Sequence, residues 1–316
     1  MPNIRDWYPP LRSLPPLAAA GALVAATAAC SGTASSTDDD GRLTVLTTFT
    51  VLADMARNVA GDRVDVESIT RAGAEIHGYE PAPDDLVRGQ DADLILENGL
   101  GLEGWFAQFT ERIDAPTATL TEGIETIPIS SGGYEGRANP HAWMSPANAA
   151  VYVDNIAAAL TDLDPEGAAT YEANAESYQA EIAEIGDFLD EELGDLPEGH
   201  RALVTCEGAF SYLARDTGLT EQYLWPVNAD AQGTPQQIAA TVEFVRDNDV
   251  PAVFCETTVN DGAQNQVADE SGAARGGDLY VDSLSEPDGP VPTYLDLLRH
   301  DAETIVAGLT GEGAQA

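Results

Sequence analysis

From residue 43 onward, apolar runs of strand length alternate with amphipathic stretches of helix length. "LTVLTTF", "VDVESIT", "ADLILENG" and a weaker "ETIPIS" read as strands. "TVLADMARNVAG", "APDDLVRGQ" and "LEGWFAQFTERI" read as the helices between them. "SPANAAVYVDNIAAALTDLD" and "PEGAATYEANAESYQAEIAEIGDFLDEELGDL" then form a long helical stretch, interrupted only at Pro165. A second alternating set follows: strands "RALVTC", "EQYLWP", "AVFCET" and "DLYVDSL", separated by "AFSYLARDTG", "TPQQIAATVEFVRDND" and a polar segment, and closed by the helix "PTYLDLLRHDAETIVAGL". Such alternation is the mark of parallel sheets covered by helices. The chain is therefore read as α/β, with two lobes, residues 42–161 and 199–316, each a parallel sheet flanked by helices, joined by a long rigid helix over 162–198.

The first 29 residues stand apart. Arg5 and Arg12 precede "LPPLAAAGALVAATAAC", an apolar run too short for an ordinary membrane span but suited to a secretory signal. Ala28 and Ala29 lead into Cys30, and residues 30–41, rich in Ser, Thr, Gly and Asp, read as a flexible tether.

The 316 residues are 43% hydrophobic and carry a formal net charge of -40, with arginine supplying all 14 basic residues. A polyanion would be repelled by such a surface, so nucleic acid is excluded as a partner, whereas cations are attracted. Candidate chemistry is confined to a few places, because there are only four histidines. Ligand sites in open parallel sheets lie at the carboxyl ends of the strands. His77 falls in the loop after "VDVESIT", His141 after the last candidate strand of the first lobe, Glu207 directly after "RALVTC", and Asp282 at the end of "DLYVD". A cleft between the lobes would bring the four together. Neutral imidazoles bind divalent transition metals, and carboxylates favour harder ions such as manganese and ferrous iron. Four protein donors leave no open position for water, which suits carriage of a metal better than hydrolysis. His200 and His300 read as surface residues, and Tyr79, Trp143, Phe210 and Tyr212 as packing that keeps water from the site.

"AEIHGYEPAPDDL", "ADLILENGLGLEGWF", "NPHAWMSPANAAVYVDNI", "TCEGAFSYLARDTGL" and "VDSL", in this order, resemble the metal-binding lipoproteins of bacterial ABC importers for manganese, zinc or iron. The resemblance spans about Leu43 to Leu309, and the stretch before Cys30 resembles a lipoprotein signal, although Thr27 stands where that pattern prefers an aliphatic residue. It implies a metal held in the interlobe cleft by His77 and His141 from the first lobe and Glu207 and Asp282 from the second. It further implies a protein that is not an enzyme, lipidated at Cys30, anchored outside the cytoplasm, monomeric, and serving an ABC permease with its ATPase subunit. Glutamate at 207 and the absence of histidine from "TEGIETIPISSGGYEGRAN" point to Mn2+ as the transported ion, with Zn2+ or Fe2+ as alternatives. A zinc-specific importer component and a secreted metalloenzyme are the competing readings. Small movements of Asp282 and its lobe are the expected gate for release.

With Cys30 lipidated, Cys206 and Cys255 remain, each at the end of a second-lobe strand and each followed by glutamate. In an oxidising exterior such a pair is either a disulfide or two buried thiols, and spacing alone leaves both open.

Overall fold

The computed structural model describes residues 41–106, 113–227 and 233–311. The readings of the signal, of Cys30 and of most of the tether therefore lie outside the described residues, as does half of the proposed helix at "LEGWFAQFTERI". Strand β1 (Leu43–Thr47) lies at the centre of a four-stranded parallel sheet, flanked by β2 (Val64–Ser68) on one side and by β3 (Leu94–Glu97) and β4 (Thr117–Thr119) on the other. Val45 and Leu46 are inaccessible and stand level with Val66 and Glu67 of β2 and with Leu94 and Ile95 of β3. Continuous apolar runs of this kind belong to strands covered on both faces. The crossovers are α1 (Thr50–Ala60), which buries Val51, Leu52, Met55, Ala56 and Val59, and α2 (Pro83–Asp91).

Two helices lead to the second half. Helix α3 (Pro146–Leu163) begins where Ser145 Oγ accepts the Asn148 N–H at 3.2 Å and Pro146 fills the first turn. Helix α4 (Ala168–Gly194) buries Tyr171, Ala175, Tyr178, Ile182, Ile185, Leu189 and Leu193, a three-and-four spacing that keeps one stripe inward along about 40 Å of helix. It starts later and ends earlier than the expected 162–198, since Pro165–Gly167 forms a separate 3-10 turn.

In the second half, β5 (Ala202–Glu207) pairs in parallel with β6 (Thr220–Trp225), and β7 (Ala252–Glu256) with β8 (Ala274–Leu279). Helices α5 (Ser211–Thr217), α6 (Pro235–Asp247), α7 (Gly262–Ser271) and α8 (Tyr294–Thr310) complete it. The two strand pairs are joined through side chains. Gln264 donates to Val204 O at 3.1 Å and to Phe254 O at 2.7 Å, and Cys206 and Cys255 form a disulfide between Cα atoms 4.9 Å apart.

Two local expectations are corrected, and one segment left without an element is assigned. "ETIPIS" contributes one antiparallel bridge, Pro128 to Ala138, and no strand, because Pro128 has no backbone donor for a ladder. The fourth strand is instead the three-residue β4. The polar segment after β7 is helix α7. Asp282 does not end a strand: β8 stops at Leu279, and Asp282 lies three residues beyond it.

The largest apolar cluster does not divide at the lobes. It runs from Val45 and Leu52 through Trp143, Tyr152, Tyr178 and Leu189 to Phe210, Leu279 and Leu309. Smaller clusters lie on the outer side of each half, one around Val204, Val253 and Val267 and one around Leu46, Ile95 and Phe106.

Candidate metal centre

His77 stands in the loop between β2 and α2, and Glu75 shapes that loop by accepting the backbone N–H of His77 at 2.6 Å and of Gly78 at 2.9 Å. His141 precedes a 3-10 turn, Ala142–Met144, that leads into α3. Glu207 is the last residue of β5, and the turn after it is tight: Gly208 N bonds Trp225 O at 3.0 Å. A Cβ on Gly208 would meet the Tyr223 ring at 2.9 Å, so only glycine fits. Asp282 is held beside the first half. Trp143 Nε1 donates to Val281 O at 3.1 Å, Gly73 N to Ser283 Oγ at 2.7 Å, and Leu284 N to Thr50 Oγ1 at 3.0 Å.

These loops bring the four residues to one point, with one donor atom of each within 4.8 Å of the others. His77 Nε2 lies 3.0 Å from His141 Nε2, 3.2 Å from Glu207 Oε1 and 3.9 Å from Asp282 Oδ1, and His141 Nε2 lies 3.7 Å from Glu207 Oε1. A cation about 2.1 Å from each of four tetrahedral donors would separate them by about 3.4 Å. The observed spacings bracket that value. The side chains of His141 and Asp282 are inaccessible, that of Glu207 is 1% exposed and that of His77 6%. A cavity of about 250 Å³ lined by His77, Leu100, Leu102, Tyr134, Arg137 and Pro140 adjoins the His77 side. Asp282 Oδ2 accepts from Thr258 Oγ1 at 3.4 Å, while Oδ1 accepts no hydrogen bond. A buried carboxylate oxygen without a donor is costly unless a cation faces it.

The electrostatics are those of a site awaiting positive charge. Burial alone would lower the His77 imidazole, but Glu207, with Asp282 and Glu75 beyond it, outweighs burial and raises it to about 9. His141 is lowered to about 3 by burial and by the charge of His77, against the pull of Glu207. Burial and the charge of Glu207 raise Asp282 to about 8. At neutral pH the protons on His77 and Asp282 therefore occupy the place a cation would take. Behind the site, Glu256 accepts the Glu207 N–H at 3.2 Å, and burial, then Glu207, raise its carboxyl well above the ordinary range.

His77, His141, Glu207 and Asp282 are thus brought together, and Cys206 and Cys255 are bonded to each other directly behind Glu207 and Glu256. The aromatic residues named beside the site fall into two groups. Trp143 packs its ring 5.2 Å from that of His141, and Tyr212 donates to Asn139 O at 2.7 Å, whereas Tyr79 turns away to pack on Trp105. His300 bonds Asp278 O at 3.1 Å, remote from the four. Glu75, Asn139 and Glu256 escaped the sequence reading. Only Glu256 left a signal there, in the repeated Cys-Glu at two strand ends.

The fold and the site define a class: a binding protein whose two α/β lobes meet over groups able to hold one cation. A profile of the family described as ZnuA, zinc-uptake complex component A, periplasmic, matches residues 45–308. The chain belongs to that family, the metal-binding solute-binding proteins of ABC importers, which are not enzymes. It is 52% identical over 272 residues to the iron-binding protein YfeA of Yersinia pestis, covering 86% of this chain and 88% of the relative. It is 36% identical over 280 residues to the manganese-binding lipoprotein MntA of Halalkalibacterium halodurans, covering 88% and 92%. Among solved structures, the Mn-bound periplasmic metal binding protein from Candidatus Liberibacter asiaticus superposes with a TM-score of 0.80 at 40% identity, over 85% of this chain and all of that one.

Proposed function

We propose that this chain is an extracytoplasmic lipoprotein, lipidated at Cys30, that captures one divalent transition metal through His77, His141, Glu207 and Asp282 and hands it to an ABC permease driven by its ATPase subunit. The observation that carries this reading is the convergence of four buried donors, two nitrogens and two carboxylates, within 4.8 Å. The imidazoles supply neutral donors and the carboxylates cancel a double positive charge, so the loaded site is neutral and stable in its buried setting. Residues 42–161 and 199–316 act as the lobes about the helix between them, and the protein works as a monomer tethered to the membrane.

The ion is Mn2+. Two carboxylates suit a harder cation than the three-histidine sets that favour zinc, and the segment ahead of His141 offers no histidine to gather zinc. Ferrous iron is the second reading, favoured by the 52% identical relative named as iron-binding. Elemental analysis of the protein purified from its own cells tests both. Stoichiometric manganese that is lost in Glu207→Ala and Asp282→Ala supports the first reading, stoichiometric iron supports the second, and metal retained by both variants refutes the site.

A further inference from the structure

The donors come from opposite halves, and something must hold them in register before an ion arrives. Asn139 is 2% exposed, and its side-chain amide is engaged at both ends. On one side, Oδ1 accepts the backbone N–H of His141 at 3.0 Å and lies 2.9 Å from His141 Nδ1. On the other, Nδ2 donates to Gly208 O at 2.6 Å, in the turn that follows Glu207, and lies 3.1 Å from Ser211 Oγ at the start of α5. The orientation of the amide is fixed by its partners. A backbone N–H can only donate and a carbonyl can only accept, so the oxygen must face His141 and the nitrogen must face Gly208. Because Oδ1 only accepts, His141 Nδ1 must carry the proton, which leaves the lone pair of Nε2 directed at His77 and Glu207.

We propose that Asn139 is the positioning residue of the centre: one amide sets the tautomer of His141 and ties the Glu207 turn of the second half to the histidine loop of the first. The inference rests on the metal-carrier reading above and assigns this coupling to a residue that touches no ion. When the ion departs, the two sides must part across this amide, so the bond to Gly208 restrains release. The bond to His141 instead determines whether a nitrogen lone pair is presented at all. Outer partners of metal-binding histidines change affinity by about 10- to 100-fold when removed.

The two duties are separable by substitution. Asn139→Asp keeps an acceptor for His141 but sets a second oxygen against Gly208 O, whereas Asn139→Ala loses both contacts. The tautomer is read in the metal-free protein from long-range 15N–1H correlations of the His141 ring, and release from the transfer of Mn2+ to excess chelator in stopped flow. The expected results are Nδ1–H in the wild type and in Asn139→Asp, a tautomer mixture in Asn139→Ala, and release about 10- to 100-fold faster in both variants. Release from Asn139→Asp at the wild-type rate overturns the proposal, as does a wild-type His141 protonated on Nε2. The wild-type measurement stands even if Asn139→Ala fails to fold. A wild-type protein that binds neither Mn2+ nor Fe2+, with the tautomer as expected, sinks the carrier reading and the restraint on release with it.

Discussion

Titrating the metal-free protein with Mn2+ at pH 7 should expel about two protons for each ion bound. The number follows from the groups the ion meets. His77 is held at about 9 and Asp282 at about 8, so at pH 7 both carry a proton that must leave before their donor atoms can bind. His141, lowered to about 3, is already neutral and adds nothing. With ordinary values of 6.5 and 3.8 for the first two, only about a quarter of a proton would be displaced. The two groups face the same carboxylate of Glu207 and lose their protons as a pair, so the titration reads their total. It also sets the slope: below pH 8 the apparent affinity should rise about 100-fold per pH unit, flattening above pH 9. Calorimetry in two buffers of different ionisation enthalpy counts the protons, because the observed heat shifts by the number released times the difference between the buffers. Release of less than about half a proton at pH 7 would mean that the site does not hold its carboxylates and imidazole against burial in this way.

The same raised values govern the stability of the metal-free protein. For His77 the contribution is complete below 6.5 and is lost as pH rises through about 9, and for Asp282 it is complete below 3.8 and is lost as pH rises through about 8. The thermal midpoint of the metal-free protein should therefore fall between pH 6.5 and 8, while the gap to the Mn2+-loaded form widens; calorimetric scans across that range check it. Glu207→His replaces an oxygen donor by nitrogen and should move preference from Mn2+ towards Zn2+, read by competition between the two ions. Thr50→Val removes the acceptor of the Leu284 N–H and should cost about 1 kcal/mol, or about 2–4 °C in thermal midpoint for a protein of this size. Cys206→Ser with Cys255→Ser opens a loop spanning a separation of 49 residues and should cost about 4 kcal/mol by loop entropy, seen as a lower guanidinium midpoint than that of the oxidised wild type.

The central strands and the long helix were legible because burial on both faces, or along one stripe, leaves an apolar pattern that needs no partner to be read. Val45 and Leu46 in β1 and the stripe from Tyr171 to Leu193 are of this kind. What failed was decided by neighbours. Strand β4 is three residues at a sheet edge, Thr117–Thr119, with no fully buried position to mark it. Strand β8 contains Gly276 and Gly277, so its own sequence argues against it, and pairing with β7 ends it at Leu279, the first residue of the apolar "LYV". The four candidate donors were legible because loops after parallel strands share an edge of the sheet: Glu207 ends β5, His77 and Asp282 lie beyond β2 and β8, and His141 lies beyond β4, past an "ETIPIS" segment that is a bridge and not a strand. Asn139 and Glu75 were not, because their role lies in hydrogen bonds to backbone groups that only the folded chain brings within reach.

That placement alters how release must work. Small movements of Asp282 and its lobe are the gate expected from the sequence, yet the residues around Asp282 are bonded to the first half. Trp143 holds Val281, Gly73 holds Ser283, Thr50 holds Leu284, and Asp54 accepts the N–H of Tyr294 at 2.9 Å. At about 1 kcal/mol each, these four bonds alone would limit an opened form to about one molecule in a thousand. The apolar cluster shared by both halves adds to that restraint, because a rigid swing would bring residues such as Leu284 and Tyr294 into water. A free-standing hinge is therefore a poor way to let the ion go. The permease can favour the open form only through contacts it makes better with that form than with the closed one, so docking and opening must be thermodynamically coupled. Spontaneous release into solution should be correspondingly slow, which is what a carrier that must not lose its ion between capture and delivery requires.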